Sequence, residues 1–154
     1  MTRTDHLVSV KIQQALNKML KDTVPVISAE TLAEGLLFPS DWALLDSREF
    51  AEFNVSHLPN AKWIGYKDFS ASRVADLDKE HQIVVYCSIG VRSEQIAEKL
   101  ISLGFTHVWN LYGGIFNWAN QGRTLVDHKQ LNTKLVHGYD KNWAKLVDNP
   151  CRDR

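Results

Sequence analysis

The chain has 154 residues, a hydrophobic fraction of 44%, a charged fraction of 23% and a formal net charge of zero. Its length and composition are those of one globular domain with a buried core. The balanced charge gives no reason to expect binding to nucleic acid or to an acidic membrane, and no stretch reaches the roughly 18 apolar residues of a membrane span. Because the N-terminus lacks the apolar core of a signal peptide and only two cysteines are present, we expect a cytoplasmic protein.

The first half of the chain alternates between helix-like and strand-like segments. Apolar residues from Leu7 to Leu20 recur at helical spacing and predict an amphipathic helix. Ser28 is a suitable N-cap for a second helix, which Gly35 weakens or ends. The predicted strands are VPVI (24–27), WALLDS (42–47) and KWIG (62–65), and further helical segments are predicted in REFAEF (48–53) and in part of 67–80.

The second half continues the alternation. IVVYC (83–87) is continuously apolar, as expected for a strand buried on both faces of a parallel sheet. The elements predicted after it are a helix in RSEQIAEKLISLG (92–104), a strand in HVWNLY (107–112), a short helix in GGIFNWANQG (113–122) and a last helix from Tyr139 to Val147, before Pro150. No clear strand follows Val126. The pattern predicts an α/β fold with a five-stranded parallel sheet and helices on both faces.

Three regions are predicted from this order of elements. Residues 1–23 form an N-terminal helical segment, residues 24–126 form the α/β domain, and residues 127–154 form a C-terminal extension. We expect the extension to pack on the domain or to be partly mobile.

Cys87 stands at the carboxyl end of a predicted strand, where sites form in parallel α/β sheets. Gly90 permits unusual backbone conformations in the loop that follows, and the loop leads to Arg92 and to a helix that Ser93 can cap. The N–H groups of a helix N-terminus and the Arg92 cation both favour a thiolate. A lone cysteine at a strand end is usually a small buried apolar residue, but this combination indicates a reactive one.

Four segments in order resemble the motifs of single-domain rhodaneses, a family of sulfurtransferases. CSIGVRS (87–93) resembles the active-site loop, a cysteine followed by four residues and an arginine. LLDSREF (44–50), FNVSHLPNAKWI (53–64) and LYGGIFNWANQG (111–122) resemble the Asp-x-Arg, His-Ile-Pro-Gly-Ala and Gly-Gly-x-x-x-Trp segments. Asn60 replaces the usual glycine of the His-Ile-Pro-Gly-Ala motif. We expect the turn to survive because asparagine tolerates left-handed backbone. The resemblance covers about Val24 to Val126.

The resemblance implies that Cys87 is the catalytic nucleophile and becomes a persulfide. Backbone N–H groups of the segment after it would bind the sulfur, and its residues are Ser88, Ile89, Gly90, Val91 and Arg92. The expected partners are a small donor such as thiosulfate or a persulfide and a thiol or cyanide acceptor, with a protein sulfur carrier as a further candidate. No cofactor and no metal are expected.

Four other side chains are interpreted more conservatively. Asp46 and Arg48 are expected near the site, where a structural ion pair is favoured over a direct role. His57 is expected to make a structural hydrogen bond in its His-Leu-Pro turn, because a thiolate held by a helix N-terminus needs no histidine base. Cys151, close to the end of the sequence, is expected to be an exposed and mobile thiol without a role.

Two alternatives remain open from the sequence. A cysteine phosphatase or arsenate reductase on the same fold would have one more residue between the cysteine and the arginine. A binding module with an incidental cysteine would commonly lack the cysteine altogether. Within the sulfurtransferase interpretation, the loop has no basic residue before Arg92, so we expect weak turnover with thiosulfate and cyanide and a better fit to a neutral or thiol-type carrier.

Overall fold

The structure is a computed structural model that describes residues 8–148 and 151–153. Across these two ranges, no helix has the length and apolar character needed to cross a membrane.

A five-stranded parallel sheet lies at the centre of the fold, as predicted. Its strands are β1 (Val26–Ile27), β2 (Trp42–Asp46), β3 (Lys62–Trp63), β4 (Gln82–Tyr86) and β5 (His107–Leu111). They are arranged in the order β1-β5-β4-β2-β3, so β4 is the central strand. The edge strands β1 and β3 are shorter than predicted, because only two residues of each pair with the neighbouring strand.

Five α-helices lie between residues 8 and 122 of the described chain. They are α1 (Val10–Met19), α2 (Ala29–Gly35), α3 (Phe50–Val55), α4 (Val91–Ser102) and α5 (Gly114–Asn120). The first predicted helix is present from Val10, after the N-cap Ser9, and Leu7 lies outside the described residues. Ser28 caps α2 as predicted, and α2 ends at Gly35. In the stretch 67–80, the helical structure is the 3₁₀ turn Ala71–Val74.

Helices cover both faces of the sheet because the side chains of β4 alternate between two apolar cores. Val84 and Tyr86 pack in the core that contains residues of α1, α2 and α5. Ile83 and Val85 pack in the second core, together with residues of α4. The N-terminal helix α1 is therefore part of the main core, with the side chain of Leu16 almost fully buried.

The region after Val126 differs from the prediction, because it contains short strands. Leu125–Val126 (β6) pairs antiparallel with Asn132–Thr133 (β7), and Val136–His137 (β8) pairs parallel with Arg152–Asp153 (β9). Two-residue strands show no readable alternation of polar and apolar residues, so the sequence pattern could not indicate them. The last predicted helix is also shorter, since α6 spans Lys141–Ala144, and Pro150 lies outside the described residues.

The predicted ion pair between Asp46 and Arg48 holds the turn from β2 to α3. Both side chains are fully buried, and Arg48 Nη2 lies 2.7 Å from Asp46 Oδ2. The same nitrogen donates to the carbonyl oxygen of Ser56 at 2.7 Å, and the Arg48 carbonyl oxygen accepts from Trp63 Nε1 at 2.8 Å. Burial alone would lower the pKa of Arg48, but the charge and hydrogen bonds of Asp46 outweigh it and raise that pKa above the usual value.

Asp46→Asn should strongly destabilise the fold, because it removes the hydrogen-bonded counter-charge of the buried Arg48. We expect the free energy of unfolding to fall by about 3 to 5 kcal/mol, measured by urea denaturation. Asp76→Asn is the matched control, since Asp76 pairs with Lys62 in an exposed ion pair and should change stability little. Equal effects of the two substitutions would show that the buried pair does not hold this turn.

Candidate active site

Cys87 is the first residue after β4, at the carboxyl edge of the central strand. Its side chain is only 2% exposed, so reagents reach the sulfur through the pocket above it. That pocket, which we call the cysteine pocket, has a volume of about 110 Å³. Its lining consists of Cys87, Ser88, Ile89, Val91, Arg92, Tyr139 and Trp143.

The loop folds back so that backbone N–H groups point at the sulfur. The Gly90 nitrogen lies 3.2 Å from Cys87 Sγ, and the Ser93 nitrogen lies 3.4 Å from it. Gly90 has a φ of 133° and is the N-cap residue of α4, a conformation that residues with a side chain rarely adopt. The helix therefore begins earlier than predicted, and Ser93 lies inside its first turn instead of capping it.

The hydroxyl of Ser93 is engaged by Asn110. Asn110 Nδ2 donates to the Gly90 carbonyl oxygen at 2.9 Å, which turns Asn110 Oδ1 towards Ser93. Ser93 Oγ lies 2.6 Å from that oxygen and 3.4 Å from Cys87 Sγ. A hydroxyl has one proton, and the shorter contact takes it. The hydrogen-bond donors to the sulfur are therefore the two backbone N–H groups.

Arg92, the cation that the sequence suggested beside Cys87, is held by Glu52, because its guanidinium forms a fork with the carboxylate. Nη1 donates to Glu52 Oε2 at 2.8 Å, and Nη2 donates to Glu52 Oε1 at 2.9 Å and to Ser88 Oγ at 2.9 Å. The ring of Tyr139 covers the guanidinium, with 4.6 Å from Arg92 Cζ to the ring centroid. Arg92 thus ties the cysteine loop to α3.

The pKa values of this pair show that the two charges are matched. Burial would raise the pKa of Glu52, but the hydrogen bonds and charge of Arg92, followed by the charge of Arg48, lower it below the usual value. Burial would likewise lower the pKa of Arg92, but Glu52 and the sulfur of Cys87 raise it. The carboxylate and the guanidinium stabilise each other's charged forms.

The carbonyl groups of the cysteine loop are bound by the start of α5. The Ile115 nitrogen donates to the Cys87 carbonyl oxygen, and the Phe116 nitrogen donates to that of Ser88, both at 3.0 Å. A Cβ atom on Gly114 would lie 2.4 Å from the Ser88 oxygen and 2.6 Å from the Cys87 oxygen. This close approach explains the second glycine of the Gly-Gly pair.

The structure brings most of the predicted site residues together. Cys87, Ser88, Ile89, Val91 and Arg92 line one pocket, and Gly90 donates to the sulfur. The Asp46–Arg48 pair does not line this pocket.

His57 has the structural role that its turn suggested. Its Nδ1 lies 3.0 Å from the Phe53 carbonyl oxygen, its ring stacks on the Phe53 ring, and its backbone pairs with Val126.

The residues that lie far from Cys87 in the chain but contribute to the site were not identified from the sequence. These residues are Glu52, Asn110, Tyr139 and Trp143. Glu52 and Arg92 are 40 positions apart in the chain. The sequence carries no signal for Glu52, because the burial of its carboxylate, which demands a cationic partner, is visible only in the structure.

Cys151 differs from the expectation of an exposed thiol. Its side chain is half-buried, and its sulfur lies 3.7 Å from the Ala119 carbonyl oxygen. Burial, followed by the charge of Asp148, raises the pKa of the Cys151 thiol. It lines a different pocket from Cys87.

The chain matches known proteins mainly over its central region. The family described as the rhodanese-like domain matches residues 28–121. A sulfurtransferase of Allochromatium vinosum is 33% identical over 100 residues, which are 65% of this chain and 92% of that protein.

Two further similar proteins match this chain over very different fractions of their own length. A tRNA uridine(34) hydroxylase of Escherichia coli is 31% identical over 93 residues, but the match spans only 27% of its length. The crystal structure of protein BH2092 from Bacillus halodurans aligns with a TM-score of 0.68 at 21% identity, over 87% of this chain and 98% of that one. This structural similarity shows that the two proteins share a fold.

Gly114→Ala should displace the cysteine loop, because the new methyl group would collide with two loop carbonyl oxygens. We expect a loss of about 1 to 3 kcal/mol in the free energy of unfolding and faster alkylation of Cys87, located by peptide mapping. Gly122→Ala is the matched control, because Gly122 also has a positive φ of 73° but has no atom within 4 Å of the added Cβ. Gly122→Ala should lower the free energy of unfolding through backbone strain, but it should not accelerate the alkylation of Cys87. The same alkylation rate in both variants would contradict the proposed contact between α5 and the loop.

Proposed function

This chain belongs to the rhodanese-like domain family, and from that premise we propose that it is a sulfurtransferase that carries sulfur on Cys87 as a persulfide. One observation carries the proposal. The sulfur of Cys87 lies at the base of a pocket and accepts hydrogen bonds from the backbone N–H groups of Gly90 and Ser93. Such donors stabilise negative charge on sulfur, both in the thiolate and in the persulfide that it forms.

The reaction consists of two displacements at sulfur. In the first, the Cys87 thiolate attacks the outer sulfur of the donor, a new S–S bond forms, and the old bond to that sulfur breaks with its electron pair leaving on the donor. In the second, a thiol or cyanide attacks the outer sulfur of the Cys87 persulfide and regenerates the thiolate. No net oxidation occurs, and the covalent intermediate predicts ping-pong kinetics.

The start of α4 is placed to bind the transferred sulfur. The first N–H groups of a helix have no partner inside the helix, and α4 begins at Val91, directly beside the pocket. The outer sulfur of a Cys87 persulfide would extend into this pocket, where Ile89 and Val91 form part of the wall. Small size and apolar walls suit one added sulfur atom better than a tetrahedral oxyanion.

The pairing of Arg92 argues against the phosphatase alternative. A phosphate ester carries a double negative charge and is commonly bound by a guanidinium that offers two N–H groups to its oxygens. In this protein both terminal nitrogens of Arg92 donate to Glu52, and the carboxylate matches the cation. A phosphate group would have to displace the Glu52 carboxylate to be bound by the Nη1 and Nη2 pair of N–H groups that now face it.

Loading of Cys87 is tested by intact mass after reaction with excess of a sulfane donor and removal of that donor. The mass should rise by one sulfur atom under non-reducing conditions, a thiol reductant should reverse the gain, and peptide mapping should place it on Cys87. Cys87→Ala should lose the adduct and the sulfur transfer while keeping the fold. Wild-type sulfur transfer by Cys87→Ala would overturn the proposal and would leave a binding module as the better interpretation.

Cys151→Ser is the control for the second thiol. Because Cys151 lines a separate pocket, this variant should load with one sulfur in a single turnover at the wild-type rate. Phosphate-ester hydrolysis is measured on the same samples and should be absent.

A further inference from the structure

The cysteine pocket is closed on one side by the C-terminal extension. Tyr139 and Trp143 line it opposite the loop residues, and their rings meet edge to face with centroids 6.3 Å apart. Asp140 caps α6 by accepting from the Trp143 nitrogen at 2.8 Å, which fixes the turn between the two aromatic residues. We call Tyr139 and Trp143 the aromatic wall.

The main domain holds the segment that carries this wall in place. Val136 and Val147, on either side of the wall, are almost fully buried in the main core. Asn120 of α5 donates from Nδ2 to the Leu146 carbonyl oxygen at 3.0 Å and accepts from the Asp148 nitrogen at 2.9 Å. Contacts with the main domain therefore anchor the aromatic wall beside the pocket.

The pocket offers no unmatched positive charge to a substrate. Arg92 is the charged residue among those that line it. Glu52 neutralises its charge through two hydrogen bonds, and Tyr139 covers its guanidinium. The N–H groups of Gly90 and Ser93 face the reacting sulfur, so a second anionic group elsewhere in the pocket would lose its hydration without gaining a free cation, which is unfavourable.

The remaining surfaces of the pocket are apolar. Ile89, Val91 and the two rings of the aromatic wall surround the opening above Cys87. The volume of about 110 Å³ is well below that of a pocket for a drug-sized ligand, roughly 300 to 1,000 Å³. It accommodates the sulfur end of a donor and the few atoms next to it.

We infer that Tyr139 and Trp143 are specificity-determining residues that select an organic persulfide, whose organic group next to the sulfur is apolar and uncharged, over thiosulfate. The inference rests on the proposed function. In the loading step, the Cys87 thiolate attacks the outer sulfur of R–S–SH, the R–S bond to that sulfur breaks, and the products are the Cys87 persulfide and R–S⁻. The apolar group R packs against the aromatic wall during the attack.

The test compares single-turnover loading of Cys87 from three donors, measured by intact mass against time. Benzyl hydropersulfide is the donor with an uncharged organic group, 4-carboxybenzyl hydropersulfide adds one carboxylate to that group, and thiosulfate is the inorganic dianion. The wild-type protein should load from the benzyl donor about tenfold or more faster than from the carboxybenzyl donor or from thiosulfate.

Variants of the wall assign the preference to named rings. Tyr139→Ala and Trp143→Ala should each reduce the ratio of benzyl to carboxybenzyl loading by about threefold to tenfold, because an aromatic contact is lost and the pocket opens to water. Tyr139→Phe keeps the ring over Arg92 and should keep the wild-type ratio. Phe38→Ala removes an exposed aromatic ring outside the cysteine pocket and should leave all three loading rates unchanged.

Each outcome separates the two proposals. Equal loading from all three donors in the wild-type protein would overturn the inference while leaving sulfur transfer intact, as would an unchanged ratio in both alanine variants. Tyr139→Leu keeps apolar bulk and supplies the comparison if the alanine variant does not fold. Failure of every donor to load Cys87 in the wild-type protein would overturn the proposed function, and the inference with it.

Discussion

The geometry around Cys87 depends on the two hydrogen bonds from the first turn of α5 to the carbonyl oxygens of Cys87 and Ser88. A loop that directs its N–H groups at one atom must turn its carbonyl groups away, and buried carbonyl groups need partners of their own. The start of α5 supplies these partners, and it comes close enough because residue 114 is a glycine. Two helix N-termini thus meet at one loop, with α4 facing the sulfur and α5 facing the carbonyl oxygens.

The second constraint is the buried pair of Glu52 and Arg92. It links the cysteine loop to α3, and its matched charges leave the pocket without a free cation. Under the proposed function, the stability of the loop and the choice of substrate share one cause. Because an arginine held by a carboxylate positions the loop, the inferred preference for a substrate depends on the apolar residues and on the aromatic wall.

Local patterns in the sequence predicted the features that depend only on residues close together in the chain. The apolar run before Cys87, the cap at Ser28 and the left-handed backbone at Asn60, with its φ of 66°, all appear in the structure. The sequence pattern could not indicate the two-residue strands after Val126 or the cover that Tyr139 forms over Arg92. Such contacts join distant segments and depend on the packing of the whole domain, which periodicity does not encode.

The most direct test of the account is a crystal structure of the protein after loading with a sulfane donor. The account predicts one added sulfur atom bonded to Cys87 Sγ, lying inside the cysteine pocket and within hydrogen-bond distance of the N–H groups at the start of α4. An added sulfur on Cys151, or a Cys87 side chain turned out of the loop with no N–H group near its sulfur, would contradict it.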